Sequence, residues 1–265
     1  MFFRNTVYGL RFTVINMCRM IGIATNNGVS PLWFESFLEL SRTGNVLKNM
    51  TEGHDDGWGV TGYLGNTAVY FGRSDKDAAE DVESFNTACG KAVSSKSRIV
   101  VAHLRKASEG ARNIYNTHPF MHKDLIFCHN GDVHNSEKLV IPGLKYDGTT
   151  DSERLFRFIA NRMECGIQRN YHKMIPEIIA EIKQKCGYSS LTFLLSNGER
   201  LIGYRDYTED EDYYTLYCAK TEKSFIFCSE PLPGFEWKAL ENKELILINK
   251  HGLEVNTDVV FANKF

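Results

Sequence analysis

Met17-Cys18-Arg19-Met20-Ile21-Gly22-Ile23-Ala24 reads as a chain start running straight into a first strand, and the role of Cys18 turns on that reading. A cysteine at a chain terminus carries a thiol and an α-amino group on one residue. The amine's reference pKa is near 8 against about 10.4 for lysine, so freeing its lone pair near neutrality costs roughly 3 kcal/mol less. Such an amine can take the thiol's proton directly or through a water. Residues 1–17 stand in front of it. They contain Arg4 and Arg11 but no uninterrupted apolar stretch and no small-residue cleavage site, a poor fit to a secretory signal. A misplaced start codon and a removed propeptide both account for this extension. The alternative for Cys18 itself is ordinary packing in a strand.

Working outward from this segment, Ser30 is placed to cap a helix with Pro31 at its first position and Leu32, Trp33, Phe37, Leu38 and Leu40 on its apolar face. Trp58 to Leu64 and Thr67 to Arg73 flank Gly65-Asn66, a hairpin signal. A polar helix is expected from about Asp77 to Val93, then buried strands over Arg98 to Arg105 and Leu125 to His129. Two helices follow, Asp151 to about Glu164 and Ile175 to Lys185, with Pro176 in the second one's first turn. Five short β-rich runs complete the pattern: Leu191 to Leu195, Leu201 to Tyr204, Tyr213 to Ala219, Ser224 to Cys228 and Leu245 to Ile248. Strand runs enclosing a helical pair indicate an α+β fold with mainly antiparallel sheets.

The 265 residues are 43% hydrophobic and 24% charged, enough chain for one large core, and no linker-like or low-complexity stretch divides residues 18–265. A net charge of -2 without a Lys/Arg stripe argues against a nucleic-acid partner. The apolar runs fall well short of the roughly 20 residues of a membrane span. Seven scattered cysteines without CxxC spacing suggest reduced thiols and a cytoplasmic protein. Several histidines invite a metal reading, but there is no HExxH, and neither a metal nor another cofactor is expected.

Four downstream motifs supply what an amide-cleaving thiolate needs. Val100-Val101-Ala102-His103-Leu104-Arg105-Lys106-Ala107-Ser108 is a buried strand ending in a cation and a hydroxyl. Arg105 can fork two N–H donors onto a carboxylate and Ser108 can add another, or the strand simply leaves the core through solvated cations. Phe127-Cys128-His129-Asn130-Gly131 is either a tight turn or an oxyanion hole built from the Asn130 amide and the Gly131 N–H. Thr149-Thr150-Asp151-Ser152-Glu153 fits a capping box with Thr150 as cap, leaving Asp151 in the first turn to bind a substrate ammonium. Gly57-Trp58-Gly59 allows close backbone approach, and Asn116-Thr117-His118-Pro119 is a polar loop able to buttress a site.

In combination and in this order, Met-Cys-Arg, Gly-Trp-Gly, Ala-His-Leu-Arg-Lys-Ala-Ser, Asn-Thr-His-Pro-Phe, His-Asn-Gly and Thr-Asp-Ser-Glu closely resemble the class II glutamine amidotransferases. The similarity runs from Cys18 to at least Ser229-Glu230-Pro231-Leu232, a segment with no separate physical reading. The resemblance implies an N-terminal nucleophile hydrolase fold, a four-layer αββα sandwich. It also implies Cys18 as nucleophile and, through its amine, general base, Asn130 and Gly131 as holders of the oxyanion, and Arg105 and Asp151 as the grip on the amino-acid end of glutamine. Lys106 stands where the family's synthase members often carry an aromatic residue, which points away from coupling to a synthase domain.

The activity expected from the resemblance is hydrolysis of the γ-glutamyl amide of glutamine or a γ-glutamyl compound through a cysteinyl thioester, by a stand-alone amidohydrolase that needs no cofactor. The alternatives are an ammonia-supplying subunit for a separate acceptor enzyme and a non-enzymatic interaction protein that retains the fold. Residues 1–17 are expected to be absent from the active protein, because an amide at Cys18 cannot act as a base.

Overall fold

The computed structural model describes residues 18–46, 53–107, 110–165 and 170–251, together with the backbone of 255–259. The expected extension, residues 1–17, lies outside the described residues. The first half carries β1 (Arg19–Thr25), α1 (Pro31–Thr43), β2 (Trp58–Leu64), β3 (Thr67–Ser74), α2 (Val82–Ser94), β4 (Ile99–Leu104), β5 (Phe120–His122), β6 (Leu125–Asn130) and β7 (Val133–His134). The second half begins with α3 (Asp151–Cys165), α4 (Tyr171–Lys185), β8 (Gly187–Tyr188), β9 (Thr192–Ser196) and β10 (Arg200–Arg205). It continues through β11 (Tyr217–Lys220), β12 (Ser224–Cys228), β13 (Lys238–Ala239), β14 (Glu244–Asn249) and β15 (Val255–Val259).

Every residue of β1 is buried, because the strand has protein on both faces. Its even and odd positions part company. Ile21 and Ile23 pack with Phe34 and Phe37 of α1 and with Phe85 and Ala88 of α2, whereas Met20 and Ala24 face Ile126, Leu194 and Leu201 of a second sheet. Strand β14 repeats the pattern on the other side: Leu245 and Leu247 meet Ile179 and Phe158 of the α3–α4 layer, while Ile246 and Ile248 point between the sheets. Three apolar layers therefore separate four tiers, helix, sheet, sheet, helix. Each large side chain buried there contributes about 1.5–3 kcal/mol.

The first sheet runs β13-β11-β12-β1-β4-β2-β3 and the second β15-β14-β10-β9-β6-β5. All their pairings among the described residues are antiparallel, which suits strands joined by short turns. Strand β1 sits centrally, with β12 and β4 on its two sides. The expected hairpin forms as β2 and β3, closing from Leu64 opposite Thr67. Among the described residues no helix is long and apolar enough to cross a membrane.

Several local expectations needed correction. Ser30 precedes α1 in extended backbone but makes no side-chain capping bond, and Leu32 is exposed while Phe34 takes the buried position. Helix α2 starts at Val82 rather than near Asp77, since the Asp77 carboxylate accepts from Ala79 N–H at 2.7 Å and holds residues 77–80 in a turn. Helix α4 begins one turn early, leaving Pro176 inside it. Tyr171 and Met174 pack against the helical core, and that contact outweighs the hydrogen bond that proline cannot make. Tyr213 and Tyr214 belong to a turn closed onto the Asp210 carbonyl, so the strand expected from Tyr213 starts at Tyr217.

Candidate active site

Cys18 immediately precedes β1, Arg105 immediately follows β4, and Asn130 is the last residue of β6. The antiparallel β1–β4 register, Arg19 opposite Leu104, brings Cys18 and Arg105 to the same sheet end. Stacking the two sheets then brings in Asn130, 112 residues away, whose Oδ1 accepts from Cys18 N at 3.3 Å. That bond turns the Asn130 Nδ2 donor away from the Cys18 nitrogen. The Cys18 thiol lies 3.5 Å from the Lys106 carbonyl oxygen. A small cavity at this end is walled by Cys18, Arg105, Gly131 and Asp151, with Lys106, Ala107, Asn116, His118, His129, Thr150 and Ser152 completing it.

Gly131 can only be glycine here. Its φ is 146°, and a Cβ would fall 2.3 Å from the Ser190 carbonyl oxygen. The following loop is held by Asp151, whose carboxylate accepts from Val133 N–H at 2.5 Å and from Ser152 N–H at 2.7 Å. Asp151 thus lines the cavity and also fixes the loop that carries Gly131. At the start of α3, Thr150 Oγ1 accepts from Glu153 N–H at 3.2 Å, one half of a capping box. The reciprocal half is redirected: the Glu153 carboxylate accepts instead from Asp147 and Gly148 N–H.

Arg105 is buried, and its guanidinium donates to the carbonyls of Asp56, Ala111 and Gly110 at 3.3 to 3.5 Å. Lys106 does not face the thiol with its ammonium, which pairs with Asp55 at 3.1 Å. Asp56 anchors the same turn by accepting from Ala107 N–H at 2.8 Å. Ser108, expected beside Arg105, lies outside the described residues.

The Gly-Trp-Gly motif and the Asn-Thr-His-Pro loop turn out to be one feature. A Cβ on Gly59 would lie 2.4 Å from the His118 carbonyl oxygen, so the missing side chain lets that loop rest on β2 and place His118 in the cavity wall. His118 packs against His103 with ring centroids 4.5 Å apart. His129 is tied at both nitrogens, to Ser152 Oγ and the Ser190 carbonyl. From sequence, His118 belongs to a loop able to buttress a site, whereas His103 and His129 have no role beyond a rejected metal reading. The adjacency of His129 to Asn130-Gly131 was the available signal. Among the described residues no group of three or more His, Cys, Asp or Glu side chains is arranged to hold a metal ion.

Burial governs the electrostatics. It pushes the Cys18 thiol up to about 11, against the pull of Arg105 and Arg19. Ionising such a thiol unaided at neutral pH costs about 5 kcal/mol, so any chemistry through its thiolate would require a base close by. Burial also drives the imidazoles down, His54 to about 2, His103 to about 3, His129 to about 4 and His118 well below its usual value. All four are neutral near pH 7.

Residues 17–252 match the family model described as glutamine amidotransferases class-II. An uncharacterized protein of Methanocaldococcus jannaschii is 31% identical over 278 residues, which cover 94% of this chain and 72% of that one. Among solved structures, the glutamine phosphoribosylpyrophosphate amidotransferase of B. subtilis superposes with a TM-score of 0.68 at 17% identity, over 93% of this chain. The match spans half of that enzyme's length. A glutamine aminotransferase class-II domain protein from Silicibacter pomeroyi gives a TM-score of 0.62 at 19% identity, over 92% of this chain and all of that one. At those identities the two structures establish the fold alone, and the family rests on the match over residues 17–252. The chain therefore belongs to the class II glutamine amidotransferases and is an enzyme of the amidohydrolase and amidotransferase type on an N-terminal nucleophile hydrolase fold.

Proposed function

We propose that this protein hydrolyses the γ-amide of glutamine or of a γ-glutamyl compound through a thioester on Cys18. The observation that carries the reading is that Cys18, Arg105, Gly131 and Asp151, from four separate segments of the chain, wall one cavity, with Asn130 hydrogen-bonded to the Cys18 nitrogen beside it. The Cys18 α-amine, exposed once residues 1–17 are gone, takes the thiol proton. The thiolate adds to the amide carbon, and the oxyanion accepts hydrogen bonds from Asn130 Nδ2 and Gly131 N–H. Collapse breaks the C–N bond as the protonated amine passes its proton to the leaving nitrogen, releasing ammonia or an amine. A water then adds to the thioester, glutamate leaves, and the thiol is restored.

Three features support this assignment. A thiol raised to about 11 needs a base, and an amine of reference pKa near 8 on the same residue is well matched. The Cys18 nitrogen already meets Asn130 Oδ1, a contact that would orient the amine's lone pair toward its own thiol. Arg105 and Asp151, one cation and one carboxylate, complement the zwitterionic end of an amino acid, with Ser108 as a further donor. The seven cysteines are all free, in keeping with a reducing, cytoplasmic setting.

The test combines the mass of the mature N-terminus with turnover. A chain beginning at Met17 should lose that methionine and release glutamate from glutamine or from γ-glutamyl peptides. Active protein that retains a peptide bond ahead of Cys18 would leave the scheme without its base and overturn it.

A further inference from the structure

Strand β1 is held unequally on its two sides where it approaches Cys18. Its ladder with β4 continues to Arg19 opposite Leu104, but its ladder with β12 ends at Ile21 opposite Cys228, short of the nucleophile. The next two residues after β12 make up the difference. Ser229 N–H donates to the Met20 carbonyl and Ser229 Oγ accepts from Met20 N–H, both at 3.0 Å, while the Ser229 carbonyl accepts from Thr215 Oγ1 at 2.6 Å. Glu230 then forms an ion pair with the Arg19 guanidinium, which is almost wholly buried.

The pair is tied on both flanks. The Glu230 carboxylate accepts from Asn45 N–H at 2.7 Å and from Asn45 Nδ2 at 3.1 Å, beyond the end of α1. Arg19 donates from Nη2 to the Asn45 carbonyl and from Nη1 to the Cys18 carbonyl at 3.2 Å. A buried guanidinium is costly to desolvate and, as an ion pair, weak evidence for stability. Here it grips the main chain of the one residue whose placement decides the reaction.

We propose that Glu230 and Arg19 are positioning residues for the Cys18 reaction: their ion pair replaces the missing ladder beside β1 and holds the Cys18 main chain in register with the Asn130–Gly131 donors. The inference rests on the thioester mechanism proposed above. It assigns the Ser229-Glu230-Pro231-Leu232 segment a physical role in the site, since a displacement of about 1 Å at a nucleophile can lower turnover about a hundredfold.

The test uses the full chain in its mature form, with glutamine as substrate and 6-diazo-5-oxo-L-norleucine, a glutamine-shaped electrophile, to titrate reactive Cys18. Glu230→Gln should lower kcat per titrated site by about tenfold to a hundredfold while KM stays within about twofold. Arg19→Lys, which keeps the charge but loses the fork, should do the same and carries the test should Glu230→Gln not fold. A purely structural pair would instead reduce the number of titratable sites and the melting temperature, with kcat per site unchanged, and that result overturns the proposal. A wild-type chain that neither turns over γ-glutamyl amides nor reacts with the electrophile overturns the thioester reading, and this proposal with it.

Discussion

Cys18 and Cys128 are both buried thiols near the interface of the two sheets, yet their surroundings differ in kind. Cys128 lies within β6, its sulfur 3.7 Å from the Met20 thioether, and burial pushes its thiol far above the usual range. Cys18 stands at the sheet ends, where burial also raises the thiol but Arg105 and Arg19 oppose it and a cavity opens beside it. Burial by itself makes a thiol inert. What separates the proposed nucleophile from the packed thiol is the composition of the wall, with a main-chain carbonyl, an arginine and an asparagine amide where the sheets end, against thioether and aliphatic carbon where they face each other.

The sharpest break in that comparison is substitution at each sulfur. Cys18→Ser should lower glutamate release by at least about a thousandfold with the fold intact, because the hydroxyl is much harder to ionise. Cys128→Ser should keep kcat and lower stability by about 1–3 kcal/mol, as a hydroxyl enters an apolar layer. Equal activity losses, read by glutamate assay alongside thermal melts, would erase the distinction. Asn130→Ala should lower kcat by about a hundredfold to a thousandfold, the usual loss when an oxyanion donor is removed. Near-normal turnover in that variant would take Asn130 out of the mechanism.

A smaller effect comes from pH. With residues 1–17 still attached, iodoacetamide labelling of Cys18 should rise about tenfold per pH unit up to about 11, since only the thiolate reacts. Cys128 should stay unlabelled over the same range. Site-resolved mass spectrometry reads both, and a Cys18 plateau near pH 8 in that form would contradict the raised thiol.

The mildest test concerns the histidines around the site. Their pKa values are depressed in the folded chain, so the unfolded chain binds more protons below about 6.5. Stability is therefore fully present above that pH and is lost as pH falls, by about 1.4 kcal/mol per unit for each imidazole, until the folded values near 4, 3 and 2 are reached. Urea midpoints should drop between pH 7 and pH 5. A flat profile would mean that these rings carry protons or reach solvent in the folded chain.

Short-range physics was legible in the residues. Gly65-Asn66 announced the β2–β3 hairpin, the run from Ile99 announced a strand buried on both faces, and Thr150 announced the start of α3. The layered architecture and the candidate site residues came from the family resemblance that the ordered motifs carry together, since no single motif separates a turn from an oxyanion hole. Where distant packing competes with local preference, local reading failed: Pro176 sits inside α4 because Tyr171 and Met174 reach the core, and half of the capping box at Glu153 is spent on residues 147 and 148.

The sequence by itself determined the strand and helix segments, the chemistry available at Cys18, Arg105, Asn130 and Asp151, and the order in which they occur. Only the tertiary structure decided that Cys18 meets Asn130 across two sheets, that Gly59 seats His118 beside them, and that Glu230 reaches Arg19. Turn and capping signals act over a few residues and can be read in place. Contacts between strands far apart in the chain depend on sheet register and on how closely the layers stack, and neither is written in any one segment.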